Sequence, residues 1–284
     1  MDDSSQQLVV LDYSGTLCLD AVAFSHPGRI EQELALSGLA DLGIRDASFF
    51  WNNIIASTWR NGFTTPIGYE GILERRLAEL FGCDSDSSLL EKIRVAASRF
   101  SSHYFAEFRI DDRWRSLLER LRNDRTRSVV VATDHYAEAT NAIIYSFAAI
   151  NIEARSLLEA GDESCFLVAN SADLGYMKVD RAFWRKTADR LPGLRGTSLV
   201  VVDDFGYNES AVDYGAYEQT TELMSETIAV LEDVFGPGAR VVPFFIGGTD
   251  RQHMPSDGMI PDVPEALVKK AEQEILRDTR GVTR

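Results

Sequence analysis

The chain has 284 residues, of which 45% are hydrophobic, and its 44 acidic and 29 basic side chains give a formal net charge of −15 at pH 7. This composition supports a packed core and excludes intrinsic disorder as the main state, and the negative charge disfavours binding to nucleic acids or anionic membranes. No apolar run reaches the roughly 18 residues of a membrane span, and Asp2 and Asp3 stand where a secretory signal carries basic residues, so the sequence predicts a cytoplasmic protein.

Three short runs of mostly aliphatic residues are typical of strands that are buried on both faces of a parallel sheet. They occupy residues 8–11, 128–132 and 198–202. Each run ends in polar residues, and the carboxyl ends of parallel strands lie at one edge of a sheet, so we expect these polar side chains to meet there. The polar segments are Asp12 to Thr16, Thr133 with Asp134, and Asp203 with Asp204.

The stretch between the first two runs has a helical pattern of apolar residues throughout. A crossover between parallel strands needs only about a dozen residues. We therefore predict that residues 22–125 form an all-helical cap domain, inserted into a core made of residues 1–21 and 126–284. Four aromatic residues at near-helical spacing in this insert are interpreted as cap interior rather than substrate pocket: Phe49, Phe50, Trp51 and Trp59.

After the second run, helical and strand patterns alternate, which predicts an α/β fold with a Rossmann-like, three-layer core and a mostly parallel sheet. The predicted elements are helices at 137–149, 179–190 and 218–235 and strands at 165–168 and 240–246. Residues 247–264 are rich in Gly, Pro and Asp and are predicted to form a loop. The polar helix that follows is expected to pack loosely.

Two polar groups at the strand ends suit chemistry on an anion, although each has an ordinary structural alternative. Asp12 would be a carboxylate on a rigid platform and could act as a nucleophile, but Asp-x-x-Gly also occurs as a simple turn. Thr133 could donate its hydroxyl to an anionic oxygen, or Thr133 or Asp134 could only cap the following helix.

A basic and an acidic group complete the pattern. Lys178, one of few lysines in an arginine-rich chain, could neutralise a phosphate or pair with a carboxylate, or it could be a solvated surface residue. Asp203 and Asp204 repel each other unless a cation lies between them and Asp12, and Mg²⁺ is the natural candidate for oxygen ligands.

In this order, the motifs resemble the four ordered motifs of the haloacid dehalogenase superfamily, and the cap resembles members whose helical insert follows the first motif. The resemblance covers residues 8–20 and 128–216. It implies that Asp12 attacks phosphorus and forms an aspartyl phosphate. It further implies that Asp12, the Ser14 carbonyl, Asp203 and Asp204 hold Mg²⁺, that Thr16, Thr133, Asp134 and Lys178 surround the phosphoryl group, and that Gly15 and Asn208 support the loops.

The chain departs from the phosphatase pattern at Ser14, where typical phosphatases of the superfamily carry a second aspartate for acid–base catalysis. General acid–base catalysis contributes about 10²- to 10⁴-fold, and a serine hydroxyl cannot replace it. We favour a Mg²⁺-dependent phosphohydrolase for a small phosphorylated metabolite, slow or with a substitute acid such as Asp20 or a cap residue. One alternative is a dehalogenase- or phosphonatase-like enzyme; the acidic pair disfavours the dehalogenase, and Lys92, late in the insert, is the only cap lysine that a phosphonatase could use. The other is a non-catalytic relative that binds a phosphorylated metabolite or a protein.

Overall fold

A computed structural model describes the chain at residues 6–83, 87–159, 165–191, 193–194, 197–208, 216–246 and 265–277. The loop predicted at residues 247–264 lies outside these ranges. Within them, no helix combines the length and the apolar character needed to cross a bilayer.

Six strands form one parallel sheet, which confirms the predicted fold class. The strands are β1 (Gln7–Leu11), β2 (Arg127–Thr133), β3 (Ala154–Ser156), β4 (Phe166–Asn170), β5 (Ser198–Asp203) and β6 (Arg240–Pro243). Their order in the sheet is β3-β4-β2-β1-β5-β6, so β1 lies at the centre. The register aligns Leu11 with Val131 on one side and with Val202 on the other. The polar residues that follow β1, β2 and β5 therefore leave the sheet at the same edge.

Helices surround this sheet and fill the segment between β1 and β2. That segment contains α1 (Asp20–Phe24), α2 (Pro27–Ser37), α3 (Ala47–Phe50), α4 (Ala56–Gly62), α5 (Gly68–Phe81), α6 (Ser87–Ala106) and α7 (Arg115–Asn123). A π-helical turn, Trp51–Ile55, joins α3 to α4. The later helices are α8 (Ala139–Ala149), α9 (Ser171–Leu174), α10 (Arg181–Asp189), α11 (Ala216–Phe235) and α12 (Glu265–Leu276).

The apolar side chains form two layers on the sheet and a separate cluster beyond it. Alternate residues of β1 point to opposite faces. Val9 packs with side chains of α7, α8 and α12, and Val10 packs with side chains of α10 and α11. A third cluster consists of apolar residues from α1 to α6 together with Tyr136.

The cap boundaries at residues 22 and 125 stay a prediction, and the packing of α7 bears on the second of them. Trp114, Leu117, Leu118 and Leu121 form the predicted apolar helical face, and they are buried against the sheet rather than in the cluster of α1 to α6. Trp114 also donates from Nε1 to the Thr16 carbonyl at 2.9 Å, close to the end of β1.

The expectation that the last helix packs loosely is wrong. Val268, Ala271 and Ile275 of α12 are buried in the same layer as Val9. They lie at i, i+3 and i+7, which is one face of a helix. The Glu and Lys residues between these three positions make the helix polar on average, so its composition does not reveal the apolar face.

We expect Ile275→Ala to lower the free energy of unfolding by about 2–4 kcal/mol, because it removes a fully buried side chain and leaves a cavity. Lys270→Ala, at an exposed position of the same helix, is the control and should change it by less than about 0.5 kcal/mol. Urea denaturation of the two variants measures both values. Equal stability of the two variants would show that α12 does not pack on the sheet.

Candidate active site

Three buried aspartates lie together at the carboxyl ends of β1 and β5. Asp12, Asp203 and Asp204 each place an oxygen within 4.8 Å of an oxygen of the other two, and we call them the carboxylate cluster. Lys178, in the loop before α10, donates from Nζ to Asp12 Oδ1 at 2.7 Å and to Asp203 Oδ2 at 2.8 Å. Burial by itself lowers the pKa of Lys178, but Asp12 and Asp203 raise it well above its usual value. The ammonium is therefore charged and held between two carboxylates.

The charge of this cluster suits a divalent cation. Three buried carboxylates lie close enough to share one ion, and the Lys178 ammonium contacts two of them. Repulsion between clustered carboxylates is unfavourable, and a bound cation lowers it. Oxygen ligands are those that Mg²⁺ prefers. The donor set of Asp12, Asp203 and Asp204 therefore fits Mg²⁺.

Backbone N–H groups of the loop after β5 hold the Asp204 carboxylate in position. Asp204 accepts hydrogen bonds from the backbone N–H of Gly206 at 3.1 Å and of Asn208 at 2.8 Å. Phe205, between them, has a φ of 51°, in the left-handed region that residues with a side chain rarely adopt, and its N–H donates to Asp203 Oδ1 at 2.7 Å. Such strain often marks functional sites.

Asn208 connects this loop to the first motif. Its side-chain amide donates to the Gly15 carbonyl at 2.6 Å and to the Phe244 carbonyl at 2.8 Å, and its carbonyl oxygen accepts from the Ile246 N–H at 2.9 Å. The side chain is buried, so all three hydrogen bonds lie away from water. Asn208 thus connects the loop after β5 to the turn at Gly15 and to the segment after β6, and its supporting role in the site stays a prediction.

Position 15 requires a glycine for two reasons, its backbone conformation and the lack of space for a Cβ atom. Its φ is +79°, and a Cβ atom built at this position would overlap with the Asp204 carboxylate. A residue with a side chain would therefore push Asp204 out of the carboxylate cluster.

We expect Gly15→Ala to destabilise the protein more than Gly38→Ala does. Gly38 also has a positive φ, +92°, but a Cβ there meets nothing within 4 Å, so this control isolates the overlap from the backbone strain. The strain alone costs roughly 1 kcal/mol. Denaturant unfolding of both variants provides the comparison, and equal losses would show that Asp204 can move aside freely.

Three further predicted site residues are buried near the strand ends, and their burial alone does not establish a role. Thr133 and Thr16 are buried near the strand ends, and the Thr16 hydroxyl has no hydrogen-bond partner in the part of the chain that the structure describes. Ser14 is also buried and lines a cavity. The substrate-binding roles of Thr16 and Thr133 stay predictions.

Asp134 is not a helix cap, because α8 begins at Ala139 and is preceded by Glu138. Its Oδ1 instead accepts the backbone N–H of Lys178 at 2.8 Å. Burial raises the pKa of Asp134 to about 6, although Lys178 opposes this shift. Asp20, considered above as a substitute acid, pairs with Arg109 at 3.1 Å on the surface and does not line the cavity.

A cavity of about 500 Å³ extends from this edge of the sheet into the helices of the insert, and we call it the aromatic cavity. Ser14, Asp134, Phe205 and Gly206 line it on the side of the carboxylate cluster. The insert contributes the rings of Phe24, Trp51, Trp59, Phe63, Tyr69 and Tyr104. Cavities that are mostly apolar with few polar groups are typical of small-molecule sites.

The interpretation of the four aromatic residues of the insert needs correction. Phe50 is fully buried in the cluster of α1 to α6, as predicted, and Phe49 is 43% exposed. Trp51 and Trp59 line the aromatic cavity, together with Ile55 between them. These three residues lie four positions apart on one face, and the π-helical turn begins at Trp51. Such turns often occur at functional sites.

The segment after β2 brings further residues to the cavity that the sequence did not reveal. Tyr136 stacks on Tyr69 with ring centres 4.2 Å apart and an angle of 12°. The Glu138 carboxylate accepts the backbone N–H groups of Tyr69 at 2.8 Å and Glu70 at 3.3 Å, at the start of α5. A carboxylate there is favourable, because a helix N-terminus carries partial positive charge. Their positions depend on contacts between segments about 70 residues apart, which no local pattern encodes.

His135 is buried and neutral. Its Nδ1 accepts the backbone N–H of Tyr136 at 2.8 Å, which assigns the ring proton to Nε2, and Nε2 lies 2.8 Å from the Tyr104 hydroxyl oxygen that accepts this proton. Burial lowers the pKa of His135 to about 3. The imidazole therefore stays uncharged in the folded protein at any physiological pH.

The low pKa of His135 makes the free energy of unfolding depend on pH. The unfolded chain binds a proton on His135 near pH 6.5 and the folded chain near pH 3, so the stability contributed by neutral His135 is present above pH 6.5 and is lost as pH falls. We expect the difference in unfolding free energy between wild type and His135→Gln to shift by about 2 kcal/mol, against the wild type, between pH 7 and pH 5. A difference that is constant across this range would show that His135 accepts a proton in the folded state.

No protein family model matches the sequence, and no curated protein matches it. The chain is similar to a solved 2-haloacid dehalogenase from Pseudomonas syringae pv. tomato DC3000, with 19% identity, 76% of this chain and 83% of that chain covered, and a TM-score of 0.47. It is also similar to a solved L-2-haloacid dehalogenase, with 13% identity, 88% and 92% covered, and a TM-score of 0.45. Both likenesses concern the fold alone. In this chain, the structure shows a parallel sheet with a helical insert after β1, and it brings Lys178 against Asp12 at the edge where Asp203 and Asp204 also lie.

Proposed function

We propose that the chain is a Mg²⁺-dependent phosphohydrolase in which Asp12 forms an aspartyl phosphate. The observation that carries this proposal is the carboxylate cluster around Lys178, whose oxygens lie close enough together to bind one divalent cation. A nucleophile that attacked only carbon would need no such cation. Phosphoryl transfer depends mainly on positioning and on positive charge around the phosphoryl oxygens.

The reaction would proceed in two balanced steps. An oxygen of Asp12 attacks phosphorus, the bond between phosphorus and the alcohol oxygen breaks, and the alcohol leaves after it gains a proton. Water then attacks the phosphoryl group, inorganic phosphate leaves, and the Asp12 carboxylate is restored. Lys178 holds Asp12 in place throughout and contributes one positive charge. Bound Mg²⁺ would supply the remaining positive charge next to the phosphoryl oxygens.

Asp134 is the best candidate for the proton donor, a role that the Ser14 hydroxyl cannot fill. It is the only carboxyl group among the described residues that line the aromatic cavity. A pKa of about 6 keeps a large fraction protonated in mildly acidic solution, which suits a general acid. A protonated Asp134 also avoids repulsion with the phosphate group.

Hydrolysis of a carbon–halogen bond is the second candidate, because a halide leaves without a proton and so tolerates serine at position 14. A 2-haloacid also carries a carboxylate, which requires a cationic partner when it is buried. The described lining of the cavity has no Lys or Arg. Lys178, the nearest cation to the cluster, already binds Asp12 and Asp203. The phosphohydrolase is therefore favoured.

We expect the purified protein to hydrolyse 4-nitrophenyl phosphate slowly with Mg²⁺ and to lose this activity in EDTA. Asp12→Asn should abolish it, because an amide is not a competent nucleophile, and Asp41→Asn, at an exposed position, is the matched control. Parallel assays of halide release from 2-chloropropionate test the second candidate. Hydrolysis that survives EDTA, an active Asp12→Asn variant, or halide release without phosphatase activity would each contradict the proposal.

The proton donor can be tested by comparing leaving groups. An alkoxide must be protonated as it leaves, whereas 4-nitrophenolate need not be, so Asp134→Asn should lower kcat for an alkyl phosphate by about 10²-fold and change 4-nitrophenyl phosphate little. In the wild type, kcat for the alkyl ester should fall as pH rises above about 6, because Asp134 loses its proton. Ser14→Asp should restore hydrolysis in the Asp134→Asn background. Equal losses for both esters would exclude Asp134 as the acid.

A further inference from the structure

Among the described residues, the lining of the aromatic cavity carries no positive charge. Its described residues are aromatic, aliphatic, hydroxyl-bearing or acidic, apart from a glycine and the neutral His135. Two arginines of the insert lie outside this lining: Arg76 donates to the Asn53 carbonyl at 2.8 Å, and the exposed Arg60 lies over the Trp59 ring at 5.4 Å. A second phosphate or a carboxylate on the substrate would lose its water in this cavity without gaining a counter-charge.

One buried polar atom of the cavity has no partner within the described residues. Tyr136 is 4% exposed and lines the cavity, and its hydroxyl makes no hydrogen bond to the described chain. The ring is held by stacking on Tyr69 and by an edge contact with Phe63 at 4.7 Å. A buried hydroxyl without a partner is unfavourable, and a ligand atom that hydrogen bonds to it would remove the penalty.

Two large rings of the cavity are also incompletely covered. Trp51 and Trp59 are only half-buried although they face the same space. An apolar group in the cavity would bury their remaining surface, which is favourable in proportion to the apolar area removed from water. Stacking against a second ring adds to this gain.

We propose that the aromatic cavity binds the alcohol half of the substrate and that this half is an uncharged, ring-containing apolar group with a polar atom that hydrogen bonds to Tyr136. The proposal rests on the proposed function for the phosphoryl half, which belongs at the carboxylate cluster. The substrate class is then phosphomonoesters of apolar alcohols or phenols, rather than phosphorylated amino acids or bisphosphates.

Three esters of primary alcohols test this specificity with similar leaving groups: 2-phenylethyl phosphate, ethyl phosphate and O-phosphoserine. We expect kcat/KM to be about 30-fold higher for 2-phenylethyl phosphate than for ethyl phosphate, as burial of one aromatic ring predicts, and lowest for O-phosphoserine. Equal or higher kcat/KM for O-phosphoserine would overturn the inference and leave the phosphohydrolase intact.

Binding of 2-naphthol to the inactive Asp12→Asn protein tests the cavity without any turnover. Titration followed by tryptophan fluorescence should show saturable binding, and adding Trp59→Arg should weaken it about 10-fold or more. Leu36→Arg adds the same charge at a position that is 57% exposed and outside the cavity lining, so it should change nothing. Absence of saturable binding would overturn the inference, whereas binding without hydrolysis of any phosphate ester would reject only the proposed function.

The hydroxyl of Tyr136 is tested by Tyr136→Phe in the same Asp12→Asn background. We expect affinity for 2-naphthol to fall several-fold while thermal stability stays equal or rises, because the variant removes a buried hydroxyl that has no partner in the described chain. Lower stability with unchanged affinity would assign the hydroxyl a structural role and overturn its part in recognition.

Discussion

The contact of the Lys178 ammonium with Asp12 and Asp203 is the interaction on which the site depends. It joins three separate segments, the end of β1, the loop before α10 and the end of β5, at distances of 2.7 and 2.8 Å in a buried environment. Backbone N–H groups of the Asp204 loop, the Asn208 side chain and the lack of a side chain at Gly15 position Asp204 beside this contact.

The charged groups and the aromatic rings are separated in space. The carboxylates lie at strand ends and Lys178 in the loop before α10, whereas the helices of the insert carry most of the rings. The segment after β2 contacts both parts. Asp134 binds Lys178 on one side of this segment, and Tyr136 and Glu138 contact the insert on the other.

The sequence was sufficient to predict what depends on local patterns. Continuous apolar runs marked β1, β2 and β5, because strands buried on both faces leave no polar positions, and the polar ends of these runs then had to share one edge. Asp12 and the Asp203–Asp204 pair could be found in this way, and Lys178 from the motif order. β3 was missed because it has only three residues with Arg155 at its centre. α12 was predicted as a helix, but its packing was not, because charged residues separate its three buried positions.

The sequence does not reveal which side of a helix faces a cavity. Trp51 and Phe50 are neighbours in the same pattern, yet one lines the cavity and the other is buried between helices. The roles of His135 and Tyr136 depend on rings contributed by the insert, and those contacts arise only when the insert is folded against the sheet. Ser14 shows a further limit, because the substitution is visible in the first motif, whereas Asp134, which we propose as its substitute, lies in a distant segment of the chain.

The most direct test of the account is the anomalous difference density of a crystal soaked in Mn²⁺, which takes the same oxygen ligands as Mg²⁺. The account predicts one strong peak bounded by carboxylate oxygens of Asp12, Asp203 and Asp204, with Lys178 still bound to Asp12. Ordered carboxylates with no peak between them would contradict it.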